Sequence, residues 1–258
     1  GDTEPTDTSM LWCKCDEPSS VLVTQEIELG NETISTVANL SSPYFASCAK
    51  VGNYIYIMGS EANTDVYRYN IETNEVIKLT ATMPDKRGYC ALGAVGKKIY
   101  VLGGKSGGAK DTIYMFDTET ETFTTLDTIL PWATYGMGCA VLGTKIYLFG
   151  GYMTSQINLV QVFDTKTETV VTLSTTIPIP LAYAGCAVLG TKVYLFGGQT
   201  NGGSAKDTIY VFDTETETFK LLSTKLPMSL YGISVGVVGN KMYLFGGYQS
   251  SGQNTIYK

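Results

Sequence analysis

Apolar residues along this chain fall into short alternating runs, and the same runs keep returning. CAVLGTKIYLFGG at Cys139–Gly151 comes back almost unchanged as CAVLGTKVYLFGG at Cys186–Gly198. Looser copies read CAKVGNYIYIMGS from Cys48, LGAVGKKIYVLGG from Leu92 and VGVVGNKMYLFGG from Val235. Each holds two runs of β-branched and aromatic residues around Gly-Asn, Gly-Lys or Gly-Thr, which predicts two strands and a tight turn. A second unit follows the first four copies: VYRYNIETNEVIKL, IYMFDTETETFTTL, VQVFDTKTETVVTL and IYVFDTETETFKLL, starting at Val66, Ile113, Val160 and Ile209. It too predicts two strands, joined by Asp-Thr-Glu-Thr or a close variant whose Asp can bond the backbone that follows. No segment carries a 3.6-residue apolar period, so almost no helix is expected. Each period is therefore four antiparallel strands, A to D.

The tyrosines Tyr56, Tyr100, Tyr147, Tyr194 and Tyr243 mark the period, at spacings of 44, 47, 47 and 49 residues. Four strands in that length make one propeller blade. Paired glycines close strand B at Gly103-Gly104, Gly150-Gly151, Gly197-Gly198 and Gly246-Gly247. With the Tyr before them and the Asp-x-x-Thr turn after them, they resemble the kelch repeat over residues 33–258, which implies an all-β, kelch-type β-propeller. One departure stands out. Kelch blades carry a Trp on the last strand, where this chain has Val76, Phe123, Val170 and Phe219. All four are apolar, so the packing role is expected to survive.

The last copy reaches only Thr255–Lys258, within strand C, while Glu32–Val37 resembles Glu121–Leu126. The expected architecture is five four-stranded blades, with the N-terminal strand completing the fifth and leaving no open edge. The alternative is part of a six- or seven-bladed ring cut at Lys258. The propeller is placed at residues 25–258, behind an extended leader at 1–24. That leader shows Gly1, Pro5, Leu11-Trp12, Pro18 and Val21-Leu22-Val23. The pattern resembles a segment of phage tail-fibre and tail-appendage proteins. The resemblance implies a virion or cell-exterior location, contacts with other tail subunits through the leader, and a trimeric assembly.

Composition narrows the chemistry. The chain has no His, which removes Ser-His-Asp and Cys-His triads and restricts zinc to Cys or carboxylate ligands. With a net charge of −6 and two arginines, Arg68 and Arg87, it offers no basic run for nucleic acid or an anionic membrane. No stretch is long and apolar enough to enter a membrane as a helix. Cys48, Cys139 and Cys186 share one repeat position with Leu92 and Val235, and Cys90 lies two residues earlier than its equivalent. That exchange marks small buried core residues rather than a thiol site. Cys13-x-Cys15 alone is too few ligands for zinc. No metal or cofactor is therefore assigned, and six unpaired thiols point to folding in a reducing cytoplasm. The acidic Asp117–Glu121 and Asp213–Glu217 turns are read as turn chemistry, not calcium sites. The Asn31 and Asn39 glycosylation patterns are read as chance matches.

Antiparallel geometry puts the short A–B and C–D turns on one face. The longer, variable B–C and D–A loops lie on the other, where variation on a rigid scaffold suits recognition. That face supplies the expected ligand-binding set: Trp132, Tyr152, Tyr248, Gln199, Arg87, Tyr135 and Tyr231. Rings with polar tips among amides and hydroxyls suit sugars or proteins. The expected function is a non-enzymatic binding module for a bacterial surface glycan or protein. The alternatives are an intracellular kelch interaction scaffold, and a His-free carbohydrate-active enzyme working at Asp85–Arg87.

Overall fold

The computed structural model describes residues 9–13, 22–28, 33–40, 46–253 and 255–258, with side chains from residue 46 onward. Twenty-two strands and no helix are present among them. Blade 1 comprises β4 (Ser47–Val51), β5 (Tyr54–Met58), β6 (Asp65–Asn70) and β7 (Val76–Thr82). Blade 2 comprises β8 (Ala91–Val95), β9 (Lys98–Leu102), β10 (Thr112–Asp117) and β11 (Thr122–Ile129). Blade 3 is β12 (Gly138–Leu142), β13 (Lys145–Phe149), β14 (Val160–Asp164) and β15 (Thr169–Thr172). Blade 4 is β16 (Gly185–Leu189), β17 (Lys192–Phe196), β18 (Ile209–Asp213) and β19 (Thr218–Leu221). Blade 5 follows with β20 (Ser234–Val238), β21 (Lys241–Phe245) and β22 (Ile256–Tyr257). Every pairing is antiparallel between chain neighbours, and the inner strands β4, β8, β12, β16 and β20 stand side by side in that order. This is the β-propeller that the repeat predicts.

Its closing strand differs from expectation. Residues 33–40 form β3 (Thr33–Leu40), which pairs with β2 (Leu22–Glu28), Ile34 lying opposite Ile27. Strand β1 (Ser9–Cys13) completes this separate sheet, and β1 lies beside β20. Blade 5 thus has three strands among the described residues, and a whole N-terminal sheet stands against it. The physical reason is local pairing: β2 and β3 are near neighbours in sequence, so their antiparallel pair forms at a small loop-closure cost. The leader placed at 1–24 contributes β1 and the start of β2. The motif residues Gly1, Pro5 and Pro18, Cys15 and Asn31 lie outside the described residues, as does the side chain of Cys13.

The core sits between blades rather than within one. Tyr56 and Val66 of blade 1 pack with Ile99, Val101 and Phe116 of blade 2, and Phe149 and Val160 of blade 3 pack with Val193, Leu195 and Phe212 of blade 4. The residues that stand in for Trp join these clusters. The Phe123 ring lies 4.7 Å from that of Phe116, and Phe219 lies 4.8 Å from Phe212. The turn face adds a polar tie. Tyr56, Tyr100 and Tyr147 hydrogen-bond to Thr118, Thr165 and Thr214 of the next blade. The Asp of each turn serves its own backbone: Asp117 Oδ1 accepts from the amides of Glu119 at 2.9 Å and Thr120 at 3.2 Å. Asp213 does the same, and its carboxyl is held down to about 2 by Lys192 first and then these amides.

The opposite face is where the paired glycines act. In the first three pairs the second glycine donates its amide to a carbonyl of the following blade: Gly104 to Thr134 at 2.9 Å, Gly151 to Leu181 at 2.8 Å and Gly198 to Leu230 at 2.8 Å. The first glycine makes room for the same carbonyl. A β-carbon on Gly150 would lie 1.9 Å from the Leu181 oxygen, and one on Gly197 would lie 2.2 Å from that of Leu230. Both glycines of each pair are also left-handed, with φ of 61° and 107° at Gly150 and Gly151. Gly150→Ala should therefore cost about 3 kcal/mol or more, from strain plus a clash with rigid backbone. Gly143→Ala, equally left-handed but with nothing within 4 Å, should cost about 1 kcal/mol. Urea unfolding of the two variants measures the difference, and equal losses would remove this lock from the account.

Candidate functional site

Beyond the paired glycines, the backbone builds one more ladder at the axis. The residue after each pair exchanges two hydrogen bonds with the D–A loop of its own blade. Tyr152 N–H donates to the Tyr135 carbonyl at 2.8 Å and the Tyr152 carbonyl accepts from Tyr135 N–H at 3.2 Å, and Tyr248 does the same with Tyr231 at 2.8 and 3.1 Å. Gln199 pairs with Ala182, and Lys105 with Gly88. One residue further along, an amide-to-carbonyl relay runs from blade to blade. Gly136 donates to Tyr89, Tyr183 to Gly136 and Gly232 to Tyr183, at 2.9, 2.7 and 2.8 Å. These contacts fix the side chains that ring the mouth of the propeller.

Six tyrosines meet there. The Tyr135 ring lies 5.2 Å from Tyr152, 6.0 Å from Tyr89 and 6.5 Å from Tyr183. Tyr89 and Tyr183 are 5.6 Å apart, Tyr183 and Tyr231 6.1 Å, and Tyr231 and Tyr248 5.4 Å. Neighbouring planes are tilted by 41° to 59°, so the rings form a bowl and not a stack. All six are half-buried. Lys105 Nζ lies over the Tyr135 ring at 5.4 Å and 3.9 Å from Glu61. Burial, ahead of the neighbouring phenols, pushes the ionisation of the Tyr183 hydroxyl well above the ordinary tyrosine range. Gln199 accepts from Gln156 Nε2 at 3.3 Å, tying the loops of blades 3 and 4.

The mouth alternates. Tyr135 and Tyr231 come just before Gly136 and Gly232, which have φ of 64° and 66°. In blades 2 and 4 the tyrosine itself takes that left-handed position, Tyr89 at 52° and Tyr183 at 57°. A bulky side chain with such a backbone is a genuine outlier.

Of the expected ligand residues, the structure brings together Tyr135, Tyr152, Tyr231 and Tyr248, with Gln199 on the same rim. Tyr135 and Tyr231 belong to the bowl. Trp132 does not. It is 47% exposed in the D–A loop leading to blade 3, and no aromatic ring contact joins it to the bowl among the described residues. Arg87 needs a correction. It is wholly buried, with Nε and Nη2 forked onto Asp85 at 2.8 and 2.9 Å. Nη1 donates to the carbonyls of Gly103 and Thr112, both at 3.1 Å, and Nη2 also reaches Thr112 Oγ1 at 2.7 Å. Its face lies 4.1 Å above Tyr114. Every donor is used inside the fold, so Arg87 and Asp85 form a clamp beneath the loop and not a place for ligand or catalysis.

Tyr89 and Tyr183 are the site residues that sequence reasoning passes over. Their signal was a tyrosine one position later than Tyr135 and Tyr231, where those blades have Gly. The buried-core expectation holds for Cys90, but Cys139 and Cys186 are half-buried and Cys48 is exposed. Cys90 is buried, Cys139 Sγ donates to Leu92 at 3.3 Å, and burial lifts their thiols to about 11 and about 12. Two clefts lie away from the mouth. One of about 700 Å³ between blades 4 and 5 is lined by Tyr194, Leu226, Met242 and Tyr257. Another of about 520 Å³, on the turn face, holds Arg68 paired to Glu121.

Comparison with known protein families matches residues 33–151 and 136–257 to the KLHDC2/KLHL20/DRC7 Kelch-repeats domain. The match leaves the first 32 residues outside it, so the tail-appendage resemblance of the leader gains no support. No curated protein matches the chain.

Two outcomes test the site chemistry. Arg87→Lys, which cannot reproduce the forked donor set, should cost about 3 kcal/mol in urea unfolding, with Arg87→Ala at least as damaging. Tyr183 has a raised folded-state ionisation, so in the unfolded chain it loses its proton first as pH climbs past about 10. Stability should then fall with rising pH above that point and be unaffected below it. Tyr183→Phe should flatten the loss in midpoints measured between pH 9 and 11, and an unchanged slope would contradict this assignment.

Proposed function

The chain belongs to the kelch-repeat family, and on that premise we propose that it is a protein-interaction module whose partner seats on the tyrosine-lined mouth. One observation carries this reading. Tyr89 and Tyr183 hold left-handed backbone where Gly136 and Gly232 serve the alternate blades. Such strain costs about 1 kcal/mol or more per residue and collects at functional sites. The fold works with glycine at this position, so the gain comes from placing two more rings at the axis. The surrounding rim varies from blade to blade, with Glu61, Lys105, Tyr152, Gln199 and Tyr248 at one repeat position. The turn face repeats one acidic turn instead.

A second reading, a glycan ligand, draws on the amides of Gln156 and Gln199 beside half-buried tyrosine faces. A place at the end of a phage tail appendage rests on the leader pattern alone.

The test sorts a yeast-displayed random peptide library against the biotinylated full chain. Binding clones are then measured against Tyr152→Ala/Gln199→Ala/Tyr248→Ala and against a turn-face control, Glu119→Ala/Glu215→Ala. Convergent peptides that lose at least tenfold affinity for the mouth variant, and none for the control, support the proposal. Peptides indifferent to the mouth variant overturn it. If no peptide converges while a bacterial envelope glycan array gives saturable binding that the mouth variant loses, the glycan reading replaces it.

A further inference from the structure

Resting on the reading of the mouth as the binding surface, we propose that the tyrosine bowl receives a cationic side chain, a guanidinium or ammonium, from the protein partner. The argument begins with ring geometry. Six rings cluster at centroid distances of 5.2–6.5 Å and are tilted rather than stacked, so their faces are not all spent on one another. Those faces carry the negative part of the ring quadrupole and attract cations within about 6 Å of a centroid. The protein already shows such a contact. Lys105 Nζ stands 5.4 Å from the Tyr135 centroid, at the edge of the bowl.

Lys105 is held loosely. Its carboxylate partner Glu61 is 3.9 Å away, too far for a hydrogen bond, and the lysine side chain is 40% exposed. It is a displaceable occupant, and Glu61 can pair with whatever cation replaces it. An anionic side chain would meet the wrong face of each ring and the Glu61 carboxylate. Of the charged lysines of this rim, Lys86, Lys105 and Lys110 belong to blade 2, and Lys206, the repeat equivalent of Lys110, belongs to blade 4. Tyr152, Gln199 and Tyr248 leave the rim of blades 3 to 5 neutral at the same repeat position. The strained tyrosines fit this role as well, since adding Tyr89 and Tyr183 raises the number of π faces at the centre of the bowl.

The test uses the full chain with ¹³C-labelled tyrosine rings, titrated with N-acetyl-arginine-N-methylamide and with the citrulline analogue, which keeps the shape and hydrogen-bond donors but lacks the charge. The arginine compound should shift the ring signals of Tyr135 and Tyr183 saturably, with citrulline at least about tenfold weaker. Lys105→Met should tighten arginine binding a few-fold by vacating the bowl. Tyr183→Leu, confirmed folded by its amide spectrum, should abolish the response. Equal responses to arginine and citrulline at these rings would overturn the cation assignment while leaving the mouth as a binding surface. No ring response to either compound, with displayed peptides that still depend on the mouth, would also overturn it and leave the protein-binding reading standing. Only the loss of both overturns both.

Discussion

One atom-scale requirement organises the ring: a backbone carbonyl of each blade must reach into the end of strand B of the blade before it. The Leu181 oxygen does so against Gly150 and Gly151, and the Leu230 oxygen against Gly197 and Gly198. No residue with a side chain fits the first glycine, and the left-handed backbone of both would penalise one. The contact also closes the B–C loop, since Ile157 donates back to Gly151 and Lys206 to Gly198. Blade-to-blade packing, the entry angle of every D–A loop and the shape of the mouth all follow from it. The apolar clusters between blades supply most of the burial, but they are not what sets the register.

This arrangement separates the two faces by their duties. On the turn face, Asp-Thr-Glu-Thr recurs because each residue has a fixed job: the Asp caps its own turn and the Thr meets the tyrosine of the previous blade. Little freedom is left for variation. On the mouth face backbone hydrogen bonds carry the blade-to-blade frame, and the side chains of Lys105, Tyr152, Gln199 and Tyr248 add only rim contacts, such as the Gln156–Gln199 bond and the Tyr135–Tyr152 ring contact. A rigid frame with unassigned side chains is what a recognition surface requires.

Much of this was legible in the sequence. The period, the strand count per blade, the near absence of helix and the face bearing the variable loops all follow from recurring residues. The substitution of Trp by Val76, Phe123, Val170 and Phe219 was correctly read as packing. Three features were not read, each for a physical reason. Arg87 looked like a surface charge, yet it occupies the repeat position that Leu181 and Leu230 fill as buried residues, and register outweighed residue type. Tyr89 and Tyr183 were missed because their role depends on φ, which aligned letters show only through the glycines opposite them. Thr33–Val37 resembled an outer strand, but a similar sequence does not name its partner, and the nearer strand claimed it.

The alternation of left-handed tyrosine and left-handed glycine has a consequence for stoichiometry. Blades 2 and 3 contribute Tyr89, Tyr135 and Tyr152, and blades 4 and 5 contribute Tyr183, Tyr231 and Tyr248 in the same backbone settings. On the proposed reading of the mouth, the recognition unit is a pair of blades, and the described mouth holds two of them side by side. The two differ in charge, since Lys105 overlies Tyr135 in the first and the neutral Gln199 stands at its repeat position in the second. A ligand with two suitably spaced groups gains an effective local concentration for its second anchor. Selectivity at this surface would then depend on the spacing between anchors as much as on the chemistry of either one.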